Sequence, residues 1–196
     1  MLYIFGDSHA CVSFQNLQIP HKNMYQNSVT MFRIGRDNTI INYNLDIDIA
    51  SNTILLCYGE VDCRCHIGKQ VNLGRNEDTV IIELVSDYFK TITNNIKNAK
   101  VIITSVIPPT SQIDFEIING PITHEFPFVN SDEDRVRYTA KVNKRIEEFC
   151  LLNNYIYFDG YSFCRRDTGT LSYEFSDKCV HLKDNSHFIQ NFHNIL

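Results

Sequence analysis

The chain opens with Leu2-Tyr-Ile-Phe-Gly-Asp-Ser-His9, an apolar strand-forming run that leads directly into a turn begun by glycine. A short continuous apolar run closed by a turn is typical of a strand buried on both faces of a parallel sheet. The run reaches Asp7 too soon for the apolar core of a signal peptide, and no basic segment precedes it. We therefore expect Leu2–Phe5 to remain in the protein as its central first strand, with Ser8 at the edge of the sheet.

Segments of the same kind recur along the chain and alternate with helical patterns. The further predicted strands are Thr30–Ile34, Thr53–Tyr58, Lys100–Ile107 and Tyr155–Phe158. Apolar spacing predicts helices at Thr79–Lys97 and Ser131–Leu152, and a final helix is expected at Asn185–Ile195. Apolar strands that alternate with long helices indicate parallel βα units. The predicted fold is a single domain, residues 1–196, built as a three-layer α/β/α sandwich around a parallel sheet of about five strands, flavodoxin-like in type.

The composition excludes several classes of protein. With 43% hydrophobic residues and a formal net charge of −5, the 196-residue chain is too apolar and too weakly charged to be disordered. It has no run of Lys or Arg, so nucleic acid is not an expected partner. No apolar stretch approaches ~18 residues, so no membrane span is expected. Seven cysteines without a CxxC pair predict reduced thiols, a cytoplasmic location and no structural zinc.

Polar residues follow the predicted strands, at the edge where parallel α/β sheets bind ligands. Ser8 is the candidate nucleophile among them, because a serine directly after a strand can project its hydroxyl into the cleft. Serine needs a base, and a histidine oriented by a carboxylate is the usual one. Asp177 and His181 supply such a pair near the end of the chain, and Asp184 with His187 is the alternative pair.

The segment Phe5-Gly-Asp-Ser-His9 resembles the first sequence block of the SGNH hydrolases, also called GDSL-type esterases, with His9 in place of the usual Leu. The other blocks of that family have counterparts in the same order: Gly35 for the second-block Gly, Gly59-Glu-Val-Asp62 for Gly-x-Asn-Asp, and Val180-His181-Leu182 for the last block. The resemblance implies that Ser8 is the nucleophile and that N–H groups of Ser8 and Gly35 form the oxyanion hole. It also implies that no metal or organic cofactor takes part.

The third block departs from the family pattern at Val61, which occupies the position of the Asn. A Val side chain cannot donate the third oxyanion hydrogen bond, and losing such a donor costs on the order of 10²–10³ in rate. Arg64 is a candidate replacement, because its guanidinium carries several N–H groups. The alternative for Arg64 is a structural ion pair with Glu60 or Asp62.

The last block departs from the family pattern in its spacing. Asp177 and His181 are one residue further apart than the family's Asp-x-x-His, whereas Asp184 and His187 have the family spacing. We favour Asp177 and His181 as the catalytic pair, because Val-His-Leu followed by a polar turn and a helix matches the context of the block.

Five further residues are expected to bind substrate or to support the site: Asp7, His9, Gly59, Glu60 and Asp62. The first two flank the candidate nucleophile, and the other three belong to the third block. The segment Ser111–Asn130 has no clear periodicity. Its aromatic residues are expected either to stack on a sugar or to pack as a flap.

The predicted function is hydrolysis or transfer of O-acyl esters, with an acetylated sugar or glycan as the expected substrate. Two alternatives remain open. Val61 favours a module that has the same fold and binds carbohydrate or protein without catalysis. Asp7 and His9 have the Asp-x-His form that opens metallophosphoesterases, in which two metal ions clamp a phosphate, although the further histidine motifs of that family are missing from the sequence.

Overall fold

The computed structural model describes residues 1–40, 52–122 and 126–196, and at its centre is a sheet of five parallel strands. The strands are β1 (Leu2–Gly6), β2 (His21–Asn23), β3 (Thr53–Cys57), β4 (Lys100–Thr104) and β5 (Ile156–Phe158). They lie in the order β2-β1-β3-β4-β5, so β1 is flanked by β2 and β3. Each neighbouring pair is parallel, and Gly6 at the end of β1 is level with Cys57 at the end of β3.

Helices connect the strands and pack on the sheet. They are α1 (Ser8–Ser13), α2 (Met31–Asp37), α3 (Ile67–Asn72), α4 (Glu77–Asn95), α5 (Gln112–Asn119), α6 (Asp132–Leu152) and α7 (Ser186–His193). A π-helical turn, Asp62–His66, leads directly into α3, and a 3₁₀ turn lies at Ser162–Cys164. Within the described ranges, no helix is long and apolar enough to cross a membrane.

The side chains of β1 alternate between two apolar cores, one on each face of the sheet. Tyr3 and Phe5 pack into the core formed with α2, α4 and α6. Leu2 and Ile4 pack into the other core, formed with α1 and α7. The alternation follows from the two-residue period of a strand, and burial on both faces explains why the run is continuously apolar. The three-layer α/β/α sandwich predicted from the sequence is therefore confirmed.

The two longest helices begin at residues whose side chains cap them. The hydroxyl of Ser131 accepts the N–H of Asp134, and the Asp134 carboxylate accepts the N–H of Ser131 in return, which makes a capping box at the start of α6. Asn76 caps α4 by accepting the N–H of Thr79. The start of α6 thus agrees with the prediction, and α4 begins two residues before its predicted start.

The predicted strand Thr30–Ile34 is wrong, because these residues form the beginning of α2. Thr30 caps the helix by accepting the N–H of Arg33, and Asp62 accepts two further N–H groups of the first turn. An apolar run this short does not distinguish a strand from a helix. The second strand is instead His21–Asn23, a polar and partly exposed edge strand that carries no apolar pattern.

Three short helices are absent from the sequence prediction: α1, α3 and α5. They have six, six and eight residues, too few to show a clear helical period. The last of them lies in Ser111–Asn130, so part of the segment predicted to be irregular is helical.

Gly35 lies inside α2 and does not follow a strand, so the premise for its predicted oxyanion role is wrong. A Cβ atom built on Gly35 would lie 2.9 Å from the Cβ of Asp87 and 3.3 Å from the backbone nitrogen of Tyr88, both on α4. The observed role of this glycine is to let α2 and α4 approach closely.

Replacing Gly35 with Ala is expected to destabilise the protein by about 1–3 kcal/mol, because the added methyl group overpacks the contact between α2 and α4. The better helix propensity of Ala acts in the opposite direction by up to ~1 kcal/mol. Urea unfolding followed by circular dichroism measures the change in free energy. Arg36→Ala, at the exposed neighbouring position, is the control and should change it by less than about 1 kcal/mol. A Gly35→Ala variant more stable than the wild type would contradict the close-packing account.

Candidate active site

Ser8 is the first residue of α1 and lies half-buried at the carboxyl end of β1. This strand is interior, as predicted, but the central strand of the five is β3. Asp7 caps the helix by accepting an N–H of the first turn at 2.9 Å. The turn between β1 and α1 is tight: a Cβ on Gly6 would lie 2.3 Å from the Cβ of Ala10 and 2.6 Å from the carbonyl oxygen of Cys57. Glycine is therefore required at this position, and the tight turn places Ser8 at the edge of the sheet.

His181 and Asp177 lie next to Ser8. His181 Nε2 is 2.9 Å from Ser8 Oγ, and His181 Nδ1 is 2.9 Å from Asp177 Oδ2. Asp177 Oδ1 also accepts the backbone N–H groups of Cys179, at 2.8 Å, and of His181, at 3.1 Å. The structure thus brings together the three residues predicted as the catalytic set, and we call Ser8, His181 and Asp177 the hydrogen-bonded triplet.

The charge of Asp177 determines the direction of the hydrogen bonds in the triplet. Burial alone would raise the pKa of Asp177, but the hydrogen bonds from His181 and from the Cys179 N–H hold it below its ordinary value. An ionised carboxylate only accepts hydrogen bonds, so Nδ1 of the neutral imidazole carries the proton. Nε2 is then the acceptor, and the hydroxyl of Ser8 donates to it.

The alternative pair, Asp184 and His187, makes other contacts at the start of α7. Asp184 accepts the backbone N–H and the hydroxyl of Ser186, at 3.1 and 2.6 Å. The ring of His187 packs edge-on against Phe163, with the centroids 4.6 Å apart. Both residues therefore have local structural contacts, although their spacing in the sequence matches the family pattern.

A chain of buried charges lies behind the triplet. His9 Nε2 is 3.3 Å from Glu60 Oε2, and Glu60 Oε1 accepts a hydrogen bond of 2.8 Å from Arg64 Nε. Arg64 also donates to the carbonyl of Phe126 at 2.6 Å. The rings of His9 and His181 lie against each other, with centroids 4.7 Å apart. His9, Glu60 and Arg64, which we call the buried charge chain, therefore contact the candidate base through His9.

The ionisation of the buried charge chain follows from its contacts. Burial alone would raise the pKa of Glu60, but the charge of Arg64 and the hydrogen bond from His9 lower it to about 2. Burial alone would lower the pKa of His9, but the charges of Asp7 and Glu60 raise it above its ordinary value. Glu60 is thus a carboxylate, and His9 and Arg64 are its buried partners.

Asp7 is also buried, with only 2% of its surface exposed. Its Oδ1 caps α1, and its Oδ2 has no hydrogen-bond partner among the described residues. Burial raises the pKa of Asp7, and the charge of Glu60 adds to the increase against the opposing effects of His9 and His181. With His9 and Glu60, Asp7 lines a cavity of about 10 Å³. Asp7 therefore holds the turn through its hydrogen bond to the N–H of His9 and does not present its carboxylate to solvent.

Asp62 and Gly59 shape the backbone around the site. The two carboxylate oxygens of the fully buried Asp62 accept the N–H groups of Met31, at 2.7 Å, and Phe32, at 3.1 Å. Burial raises the pKa of Asp62 to about 7 against the lowering effect of these two hydrogen bonds. Gly59 has a φ of 117°, a conformation that favours glycine. Asp62 thus joins the turn after β3 to the start of α2, and Gly59 supplies the backbone conformation of that turn.

The predicted oxyanion donors have different places in the structure. The N–H of Ser8 is at the start of α1, where the first amides of a helix have no partner within the helix. Arg64 forms the ion pair with Glu60 that was the alternative to an oxyanion role, and it also donates to a backbone carbonyl. Gly35 packs against α4, and Val61 is buried. Of the predicted donors, Ser8 alone has its amide at the start of α1, beside the hydrogen-bonded triplet.

The loop that follows the second strand is absent from the sequence prediction of the site. Backbone N–H groups of this loop, residues 24–30, donate to the carbonyls of Ile4 and Gly6, so it runs beside the end of β1. Within it, Ser28 has a φ of 62°, in the left-handed region. The loop thus lies directly after the second strand, the position that the sequence predicts for Gly35. The short polar strand before it offers no pattern by which the sequence would reveal it.

Replacing Glu60 with Gln is expected to lower the free energy of unfolding by about 3–5 kcal/mol, because His9 and Arg64 would remain buried without their carboxylate. Urea unfolding at pH 7 measures the loss. Glu83→Gln is the matched control: it removes the exposed ion pair with Arg75 and should cost less than about 1 kcal/mol.

The same comparison has a pH dependence. The pKa of Glu60 is lowered from 4.5 to about 2 in the fold, so its contribution is present above pH 4.5 and is lost as the pH falls toward 2. The stability difference between wild type and Glu60→Gln should therefore shrink over this range. Equal differences at the two ends of the range would contradict the buried ion pair.

Comparisons with known proteins identify the fold through structure and not through sequence. No protein-family model and no curated protein matches the sequence. A GDSL-like lipase from Bacteroides thetaiotaomicron VPI-5482 has a TM-score of 0.60 at 16% identity, over 97% of this chain and 83% of that one. The OSK domain of Drosophila Oskar has a TM-score of 0.61 at 12% identity, over 98% of this chain and 86% of that one.

The alignment with a third solved structure covers almost all of both proteins. Phospholipase A1 from Streptomyces albidoflavus NA297 has a TM-score of 0.55 at 10% identity, over 98% of each chain. Identities this low establish the architecture alone. On that basis, the chain has the fold of the GDSL-type, or SGNH, hydrolases.

Proposed function

We propose that the chain is a serine hydrolase of O-acyl esters and that Ser8 is its nucleophile. The observation that carries the proposal is the triplet, in which Ser8, His181 and Asp177 are joined by two contacts of 2.9 Å. A nucleophile bonded to a base, which is itself oriented by a carboxylate, is the arrangement that activates serine. The fold, which is similar to that of a GDSL-like lipase and a phospholipase A1, supports the same class of reaction.

In the proposed reaction, the hydroxyl of Ser8 attacks the ester carbonyl while His181 Nε2 takes its proton. Asp177 keeps the imidazole in the tautomer that leaves Nε2 free, and it stabilises the imidazolium that forms. His181 then gives the proton to the leaving alcohol, and the acyl group remains on Ser8. Water hydrolyses this acyl-enzyme; a sugar hydroxyl in place of water would make the reaction a transfer.

The developing oxyanion has fewer donors than the family pattern implies. We assign to it the N–H of Ser8 and an N–H of the loop at residues 24–30, which lies at the same edge of the sheet. Val61 has no side-chain donor, and Arg64 is engaged in the buried charge chain. One missing donor corresponds to roughly 10²–10³ in rate, so we expect a slow esterase.

A hydrophilic alcohol, as in an acetylated sugar or glycan, is the substrate class we favour. The side chains of His181 and Asp177 are 19% and 31% exposed, so the site is open to solvent. A cleft of about 880 Å³ lies beside α6, at the carboxyl ends of β4 and β5. Its lining includes Tyr157 and Asp159, whose hydroxyl and carboxylate groups can hydrogen-bond to sugar hydroxyls. The amide of Asn143, which also lines the cleft, is bonded to the backbone of Val106, and the triplet itself lies outside this lining.

The two alternative functions differ in their support. A non-catalytic binding module is the second candidate, because the set of oxyanion donors is incomplete at Val61. A metallophosphoesterase is disfavoured by the geometry of its candidate ligands. Asp7 and His9 are only 2% and 4% exposed, and His9 is paired with Glu60.

Hydrolysis of 4-nitrophenyl acetate by the purified protein tests the proposed function. Ser8→Ala and His181→Ala should each lower kcat/KM by at least about 10³-fold, because the members of such a triplet act as one unit. His187→Ala is the matched control for the histidine and should retain wild-type activity, because that ring packs against Phe163.

Three outcomes would count against the proposal. Loss of activity in His187→Ala with retention in His181→Ala would overturn the assignment of the base. Binding of an acetylated glycan by a wild type that hydrolyses no ester would favour the binding module. Hydrolysis of 4-nitrophenyl phosphate that a chelator abolishes would favour the metallophosphoesterase.

A further inference from the structure

The turn that carries the candidate base brings together three metal-ligating side chains. Asp177, Cys179 and His181 occupy alternate positions, and one ligand atom from each lies within 4.8 Å of the other two. The N–H of Asp177 donates to the carbonyl of His181 at 2.9 Å, and an antiparallel bridge between Ser176 and Leu182 closes the turn. Backbone contacts thus hold the three side chains near one another.

The donor set is chemically specific. A thiolate sulfur, an imidazole nitrogen and a carboxylate oxygen together suit zinc and similar divalent transition metals, whereas magnesium and calcium prefer oxygen ligands alone. The thiolate of Cys179 and the carboxylate of Asp177 would neutralise the two charges of such a cation. Zinc bonds of ~2.0–2.3 Å place tetrahedral ligands roughly 3.6 Å apart, so the most widely separated atoms of the group need to approach by about 1 Å at most. If His181 Nδ1 and Asp177 Oδ2, which are 2.9 Å apart, were both ligands, that pair would need to separate.

Solvent can reach the group, and the nearby basic side chains are bound elsewhere. The side chains of Asp177 and His181 are 31% and 19% exposed, and Cys179 is a half-buried free thiol. Lys178 Nζ lies 3.3 Å from the centroid of the Tyr173 ring and donates to the Tyr173 carbonyl at 3.0 Å. The guanidinium of Arg64, which also acts on Cys179 electrostatically, is engaged with Glu60.

We propose that Asp177, Cys179 and His181 bind a divalent cation of the zinc class and that this cation competes with the catalytic arrangement of His181. On binding, the thiol of Cys179 loses its proton to solvent and a metal–sulfur bond forms. The cation also requires a lone pair from His181, whose two ring nitrogens face Asp177 and Ser8. Metal binding therefore removes the base from Ser8 or separates it from its orienting carboxylate.

The expected consequence is that the cation reversibly inhibits ester hydrolysis. This inhibition rests on the proposed esterase function, whereas the binding of the cation does not. The site differs from the structural zinc motifs excluded by the cysteine spacing, because it uses one cysteine with a histidine and an aspartate. It also gives a role to Cys179, which takes no part in the proposed reaction.

Cobalt(II) titration of the purified protein tests the binding directly, since a cobalt–thiolate bond absorbs in the near ultraviolet and tetrahedral cobalt absorbs in the visible. We expect both bands to saturate at one cobalt per chain in the wild type, and the near-ultraviolet band to disappear in Cys179→Ser. Cys11→Ser is the matched control, because Cys11 is also a half-buried free thiol, and it should keep both bands. Absence of the near-ultraviolet band in the wild type, or its persistence in Cys179→Ser, would overturn the site.

Inhibition by zinc is measured with 4-nitrophenyl acetate, each variant being compared with its own metal-free rate. Wild type should be inhibited and recover on addition of a chelator. In Cys179→Ser the zinc concentration needed for inhibition should rise at least about tenfold. Mutating a residue that only contacts a metal ligand already lowers metal affinity by about 10–100-fold, and removing the ligand itself should lower it at least as much. Equal inhibition of the two proteins would overturn the competition. If the protein shows the cobalt bands but no esterase activity, the metal site stands and the proposed function is wrong.

Discussion

The contact of 2.9 Å between Ser8 and His181 joins residues that are 173 positions apart in the chain. Each partner is fixed by its own local structure. The tight turn at Gly6 sets Ser8 at the end of β1, and the Asp177 carboxylate holds the turn of His181 through two backbone N–H groups. The proposed nucleophile and base therefore meet only when the first strand and the last long loop are both in place. Proton transfer needs this alignment, because a hydroxyl is a weak nucleophile without a bonded base.

Burying the charged groups behind this contact has a high cost in desolvation free energy. Removing a carboxylate and a guanidinium from water costs several kcal/mol per ion, and their attraction only offsets that cost when the geometry is good. The Arg64–Glu60 contact meets that condition, and the His9–Glu60 contact extends the chain to the ring of His181. Groups with perturbed pKa values cluster at functional sites; the pKa values of Glu60 and His9 are both shifted, and His9 contacts His181. We therefore relate the buried charge chain to the chemistry of the site more than to the stability of the fold.

Much of the fold follows from apolar pattern alone. The strands at Leu2–Gly6 and Thr53–Cys57 and the long helices α4 and α6 are confirmed near their predicted bounds, because burial on both sheet faces and one-sided helix burial leave clear periods. The second strand escapes this reasoning, since a three-residue polar strand at the sheet edge has no such period. The apolar run at Thr30–Ile34 is too short to distinguish a strand from a helix, and its interpretation as a strand placed Gly35 in the predicted oxyanion hole.

The site shows a similar division. The meeting of Ser8 with His181 and Asp177 was expected from the order of the motifs, even though the spacing of the last block is irregular. The ion pair of Arg64 with Glu60 was one of the two roles that the sequence left open for Arg64. The position of His9 against the candidate base depends on side-chain packing that one sequence does not specify. The loop at residues 24–30 lies beyond prediction because its position depends on β2.

Labelling with a fluorophosphonate, followed by intact-mass measurement and peptide mapping, tests the central claim that Ser8 is a nucleophile activated by His181. The account predicts one adduct per wild-type chain, located on Ser8, with no adduct in Ser8→Ala and labelling unchanged by a chelator. Labelling that persists in Ser8→Ala, or a wild type that hydrolyses esters without forming the adduct, would contradict it.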